Sequence, residues 1–110
     1  HRNAANFVIA EQVAFPTFHS DRVLQGFSTC FDASVEEIWL AFASGATLVV
    51  GTKELMRSGP EMGALLADRG ITVFSTVPTV LRVCEDIPDP PLLRIVITGG
   101  EACPPEVVDK

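Results

Sequence analysis

The sequence predicts an α/β fold, a parallel sheet of about four strands built from βαβ units. Three observations lead there. The run ATLVV (46–50) is apolar without alternation, the pattern of a strand covered on both faces, ITVFST (71–76) reads as a second buried strand and RIVIT (94–98) as the last strand. Segments with helical periodicity separate them, and the links between are short. Glycine and proline mark the junctions, with Gly45, Gly70 and Pro78 placed where helices end or begin.

In chain order, residues 2–14 are helical in pattern, with Ala4, Phe7, Val8 and Ala14 as an apolar stripe that Pro16 stops. Val23 to Thr29 reads as the first strand. Ala33 to Ser44 reads as a helix, because Val35, Ile38, Trp39 and Phe42 recur at i, i+3, i+4 and i+7. Gly45 takes the position after it, and Ala46 to Val50 forms the next strand. Ser58 and Glu61 have capping-box spacing before a helix from Met62 to Arg69, closed by Gly70. Ile71 to Thr76 is the third strand, and Pro78 opens a helix running to about Asp86. Asp89-Pro90-Pro91 reads as a rigid surface connection. Arg94 to Thr98 is the last strand, and Pro104 and Pro105 open a final helix.

Composition narrows the function classes. The chain has 110 residues, one domain's worth, and is 47% hydrophobic with a mean hydropathy of +0.32. That excess suits strands buried on both faces, or a body whose neighbours cover it. The net charge is −6 and the eight Lys and Arg are scattered, which argues against nucleic-acid or anionic-membrane binding through a basic face. No apolar run approaches the roughly 20 residues of a membrane span. Residues 1–3 do not read as a signal peptide, and both ends read as cuts in a longer chain. Cys30, Cys84 and Cys103 form no CxxC pair, so they read as small buried apolar residues in a reducing cytosol. Neither a cysteine–histidine catalytic pair nor a metal site has the spacing it needs.

In a parallel sheet the C-terminal strand edge is where ligands bind. It should carry Asp32, then Ser75 and Thr76, then Gly99, Gly100 and Glu101, a set suited to a small polar molecule. The glycine pair permits close backbone approach, yet a tight strand-to-helix turn needs glycine anyway. Neither GxGxxG nor GxxxxGK[ST] occurs, so this is no standard phosphate loop. The densest segment is FSTCFDASVEEIW (27–39), a β-type run ending at Asp32 followed by a helix rich in carboxylates. Ser34 and Glu37 fit a capping box, and Glu36 fits the favourable first turn of a helix. Asp32 is then either a capping residue or an anion that holds something cationic, and the pattern leaves both open.

FDASVEEIWLAFASGATLVV (31–50) resembles the FDxS segment and following helix and strand of amino-acid adenylation domains of non-ribosomal peptide synthetases, within the adenylate-forming superfamily. Further matches occur in order along the chain. His1-Arg2-Asn3 resembles the segment after that family's glycine-rich phosphate loop, and Asp21-Arg22-Val23-Leu24-Gln25 its D-x-V-L-Q strand. Ile71-Thr72-Val73 with Val77-Pro78-Thr79 resembles its ITV…PT strand and helix, and Leu93-Arg94 to Glu101-Ala102 its LRxxxxGGEA. The resemblance implies that the chain is part of the large N-terminal core of an adenylate-forming enzyme. It implies an ATP-dependent ligase that turns an amino acid into aminoacyl-AMP and pyrophosphate, then transfers it to the thiol of a peptidyl carrier protein. By the same resemblance Asp32 pairs with the substrate α-ammonium. Ala33, Glu36, Ser75, Ile97 and Gly99 line the side-chain pocket, and Gly100, Glu101 and Ala102 lie against adenine.

Glu36 departs from the large apolar residue frequent at that pocket position. A carboxylate in a partly buried pocket is costly unless paired, so a cationic side chain such as that of lysine, ornithine or diaminobutyrate is expected. The plainer reading is that Glu36 decorates the helix N-terminus and points to water. The family's phosphate loop should precede His1. Its NxYGPTE segment, its ribose-binding aspartate and the C-terminal subdomain with its catalytic lysine should follow Lys110, and the Mg²⁺ ligands are expected outside these residues. The 110 residues alone are therefore expected to support no ATP–pyrophosphate exchange, and to self-associate through faces that need neighbours. The rivals are a ligase for another acyl or aryl acid, and a non-catalytic α/β binding module of receiver-like or flavodoxin-like type.

Overall fold

The computed structural model describes residues 1–89 and 92–108. Eleven elements follow in order: α1 (Arg2–Ala14), β1 (Arg22–Gln25), α2 (Ala33–Ser44), β2 (Thr47–Val50), α3 (Lys53–Met56), a 3₁₀ turn (Gly59–Glu61), α4 (Met62–Asp68), β3 (Val73–Thr76), α5 (Pro78–Val83), β4 (Ile95–Thr98) and α6 (Pro105–Val108). The four strands form one parallel sheet in the order β2-β1-β3-β4, so the chain starts in the middle and winds outward both ways. Val23 pairs with Leu48 on one side and Val73 on the other, and Ser75 lies opposite Ile97 across β3 and β4.

Strand alternation sends neighbouring residues to opposite faces. Val23, Val73 and Ile97 pack under Leu40 and Ala41 of α2, and α1 lies outside α2. Leu24 and Phe74 face the other way, into a cluster with Met62, Leu66, Leu81 and Val107 from the helices of the second layer. Each fully buried leucine or phenylalanine contributes roughly 1.5–3 kcal/mol of transfer free energy. Gln12 holds α1 on α2 by donating to the Leu40 carbonyl at 3.1 Å, a carbonyl that also accepts the Thr17 hydroxyl at 3.1 Å.

The N-terminal edge of the sheet is tied by Asp21. Its carboxylate accepts from the Phe18 amide (2.7 Å), the Thr72 hydroxyl (2.7 Å) and the Arg94 guanidinium (2.5 Å). Burial alone would raise this carboxyl, but those donors outweigh it and hold it below the ordinary aspartate value.

The α/β class and the four parallel strands are as expected; several local readings are not. The first strand stops at Gln25, not Thr29, and Phe27 to Phe31 is a succession of turns. The Gly26 and Phe27 amides leave the ladder because the Glu37 carboxylate accepts both. Ser34 is no N-cap: its hydroxyl donates to the Phe31 carbonyl at 2.7 Å from inside the helix, and Glu37 is fully buried instead of reaching back. The box at Ser58 and Glu61 fails too, since the Ser58 hydroxyl donates to the Leu55 carbonyl and a 3₁₀ turn intervenes. The cap in that region is Thr52, which accepts from the Leu55 amide at 3.2 Å.

β2 is an edge strand, not one covered on both faces, and Val50 is 64% exposed. α5 ends at Val83, short of Asp86, because the Glu85 amide turns to the Pro60 carbonyl. Gly63 marks how closely α4 approaches that turn, since a Cβ there would sit 2.1 Å from the Glu85 carbonyl oxygen. Cys84 is buried as expected, whereas Cys30 and Cys103 are exposed. The connection read at Asp89-Pro90-Pro91 lies partly outside the described residues. Apolar side chains stand uncovered on the outer helices, Trp39 at 47% and Phe42 at 58% among them. No helix among the described residues is long and apolar enough to cross a membrane.

Candidate functional site

Parallel strands all deliver their C-termini to one edge, and the β1–α2 loop folds over it. Between them lies a cavity of about 520 Å³, within the range usual for small-molecule sites. Phe27 and Phe31 of the loop and Asp32, Ala33 and Glu36 of the α2 start form one wall. The ends of β3 and β4 form the other, with Ser75 and Thr76 facing Ile97, Gly99 and Gly100. Among the described residues no lysine, arginine or histidine lines it.

The loop keeps its shape through Glu37. Its carboxylate accepts from the Gly26 amide at 2.9 Å and the Phe27 amide at 3.2 Å, with the Gln25 side chain at 3.4 Å. Burial pushes this carboxyl up from 4.5 to about 7, against the lowering effect of those three donors. The S-x-x-E spacing hid this role, because the same two residues fit a capping box. The glycine that ends VLQ was the available signal that the chain leaves the sheet at residue 26.

Asp32 occupies the N-cap position of α2, with a backbone already helical (φ −62°, ψ −29°) and no side-chain capping bond. Capping therefore does not occupy its carboxylate, which is exposed at the cavity. Asp32 and Glu36 are one helical turn apart and share a face, so both carboxyls border the same space. Glu36 does not point to water: the buried Ser75 hydroxyl donates to its Oε1 at 3.0 Å. Burial raises the Glu36 carboxyl above its ordinary value, with a smaller contribution from the neighbouring Glu11 of α1, and the Ser75 bond only partly offsets this.

Of the residues singled out in the sequence, Asp32, Ala33, Glu36, Ser75, Ile97, Gly99 and Gly100 meet at this cavity. Glu101 and Ala102 are not among its lining residues. The Glu101 carboxylate instead accepts from the Thr79 amide (3.1 Å) and hydroxyl (2.5 Å) at the start of α5. Gly100 has φ +80°, a left-handed conformation that favours glycine, and gives the turn out of β4. Among the described residues no group of three or more His, Cys, Asp or Glu could hold a metal ion.

The family model for AMP-binding enzymes matches residues 1–110. The chain is 40% identical to the delta-poly-L-ornithine synthetase of Acinetobacter baumannii over 110 residues, covering 99% of this chain and 8% of that protein. It superimposes on the AMPPNP-bound form of the nonribosomal peptide synthetase FmoA3 with a TM-score of 0.81 and 32% identity, covering 97% of this chain and 12% of that one. The Vibrio cholerae adenylation domain AlmE, in complex with glycyl-adenosine-5'-phosphate, matches with a TM-score of 0.66 and 28% identity, covering 74% of this chain and 15% of that one. The chain thus spans a small part of each of these proteins. With the family model matched from end to end and such relatives at both levels, the chain belongs to the AMP-binding enzyme family and within it is similar to adenylation domains of nonribosomal peptide synthetases.

Proposed function

We propose that this chain supplies the amino-acid-binding part of the N-terminal subdomain of an ATP-dependent adenylating ligase whose substrate carries a cationic side chain. The observation that carries this reading is the pair Asp32 and Glu36, two carboxyls on one face of α2 bordering one cavity that no basic residue lines among the described residues. A diamino acid complements that arrangement. Its α-ammonium pairs with Asp32, and its terminal ammonium with Glu36, which Ser75 orients. The name of the ornithine synthetase relative supports a diamino acid. The glycyl-adenylate and AMPPNP bound by the two structural relatives support the use of ATP.

In this reading the substrate carboxylate attacks the α-phosphorus of ATP, the bond to the bridging oxygen of the β-phosphate breaks, and pyrophosphate leaves. Asp32 and Glu36 fix both ends of the amino acid, so that its carboxylate is presented in one orientation. The Gly100–Ala102 segment lies against adenine, and the acyl group then passes to the thiol of a peptidyl carrier protein, the acyl–phosphate bond breaking and AMP leaving. The phosphate loop, the Mg²⁺ ligands and the catalytic lysine belong to other parts of the enzyme, which works in the cytoplasm.

A panel of amino acids in ATP–pyrophosphate exchange with the complete enzyme tests this reading. Lysine, ornithine or diaminobutyrate should be preferred, and Glu36→Gln should lower that preference by roughly 10- to 100-fold while leaving Asp32 in place. Exclusive turnover of an apolar amino acid, or an unchanged preference in the Glu36→Gln enzyme, would sink the cationic assignment.

A further inference from the structure

Gly99 and Gly100 form the turn out of β4 and line the cavity, although glycine has more backbone freedom to lose than any other residue. The chain pins this pair on both sides to one neighbouring segment, the link from β3 into α5. On the near side the Gly99 amide donates to the Thr76 carbonyl at 3.3 Å. On the far side Oε2 of Glu101 accepts from the Thr79 amide at 3.1 Å and from the Thr79 hydroxyl at 2.5 Å. This second crossing joins residues 22 apart in sequence. No local side chain supplies that acceptor, since the residue at the cap position of α5 is Val77, which carries no side-chain oxygen. Thr76 and Val77 line the same cavity as the two glycines, so the clamp ties together two strips of one wall.

We propose that Glu101 is a positioning residue for nucleotide binding: clamped to Thr79, it fixes the Gly99–Gly100 turn in the shape that receives the adenine side of the ligand. Its carboxylate does not touch the nucleotide, because two donors already occupy it and Glu101 is not among the residues lining the cavity. The benefit is preorganisation. A loose glycine turn would have to be ordered by each incoming ligand at a cost in affinity, whereas a clamped one is ordered by folding. The clamp supports ground state and transition state alike, so it acts on binding and KM more than on kcat. This inference rests on the adenylating reading of the cavity and is independent of the charge on the substrate side chain.

The test uses the complete enzyme and two readouts, the Kd of AMPPNP by titration calorimetry and the KM for ATP in ATP–pyrophosphate exchange. Glu101→Ala should raise both about tenfold with kcat nearly kept. Thr79→Val removes only the hydroxyl donor and should raise them about threefold. The double variant should be no weaker than Glu101→Ala alone, because both changes break one clamp. Glu101→Gln keeps an acceptor oxygen at the same reach and should recover most of the loss. Thr52→Ala removes a cap of similar kind from α3, outside the cavity lining, and should leave the Kd unmoved. Unchanged binding in Glu101→Ala overturns the proposal, as does a Glu101→Gln enzyme equally weak. Losses that add in the double variant overturn it too, since Glu101 would then act without Thr79. An equal loss in Thr52→Ala reduces the effect to stability and also overturns it. An unaltered enzyme that binds no AMPPNP removes the adenylating reading along with this inference, whereas normal binding with no change in Glu101→Ala removes the inference alone.

Discussion

Replacing Asp32 by alanine is expected to lower amino-acid-dependent ATP–pyrophosphate exchange of the complete enzyme on the order of 10³-fold in kcat/KM. The size follows from where the residue sits. Its carboxylate makes no capping bond to α2 and, among the described residues, no basic one lines the cavity beside it, so an incoming ammonium supplies a counter-charge. Removing it leaves the substrate's own charge unpaired in a partly desolvated site, which costs more than the bond itself. Fold stability should change little, because the side chain is exposed and holds nothing else. Full activity in the Asp32→Ala enzyme would assign the site to an acid without an α-amine, the rival within the superfamily.

The second large effect concerns stability. Glu37→Ala is expected to destabilise the domain by roughly 2–4 kcal/mol, since it orphans the Gly26 and Phe27 amides and opens a void under the loop. It should also weaken substrate binding, because Phe27, Phe31 and Asp32 stand on that loop. Glu37 carries a pH signature with a definite sign. In the unfolded chain its carboxyl ionises near 4.5, whereas in the fold it keeps its proton up to about 7. Between those values the unfolded state binds fewer protons, so stability falls as pH rises through that window and levels off above it. The raised carboxyl of Glu36 adds in the same direction. Thermal unfolding from pH 4.5 to 8 should show this decline, and Glu37→Gln should flatten it. A decline equally steep in the Glu37→Gln protein would assign it to other groups.

The fold class was readable because its signals are local and repeated. ATLVV, ITVFST and RIVIT are strand-like on their own, and the helix at Ala33–Ser44 was bounded correctly by its periodicity and by Gly45. The cavity residues followed from chain order, since parallel strands bring Asp32, Ser75 and Gly99 to one edge whatever the details. What the sequence concealed was side-chain destination. S-x-x-E at Ser34 and Glu37 has the spacing of a capping box, yet burial against β1 gave Glu37 a longer-range use. Phe27 to Phe31 has strand-like composition, but the amides that would continue the ladder were taken by that same carboxylate. Edge position is also invisible locally: ATLVV looks covered on both faces, yet β2 lies at one edge of the sheet and Val50 is exposed.

The most direct measurement compares three substrates in ATP–pyrophosphate exchange by the complete enzyme. Lysine offers both ammonium groups, norleucine only the α-ammonium, and 6-aminohexanoate only the terminal one. If Asp32 and Glu36 bind the two ends of a diamino acid, lysine alone should support substantial exchange, and each analogue should fall by at least about tenfold in kcat/KM. Exchange with norleucine as fast as with lysine would contradict the role of Glu36, and equally fast exchange with 6-aminohexanoate would contradict the role of Asp32.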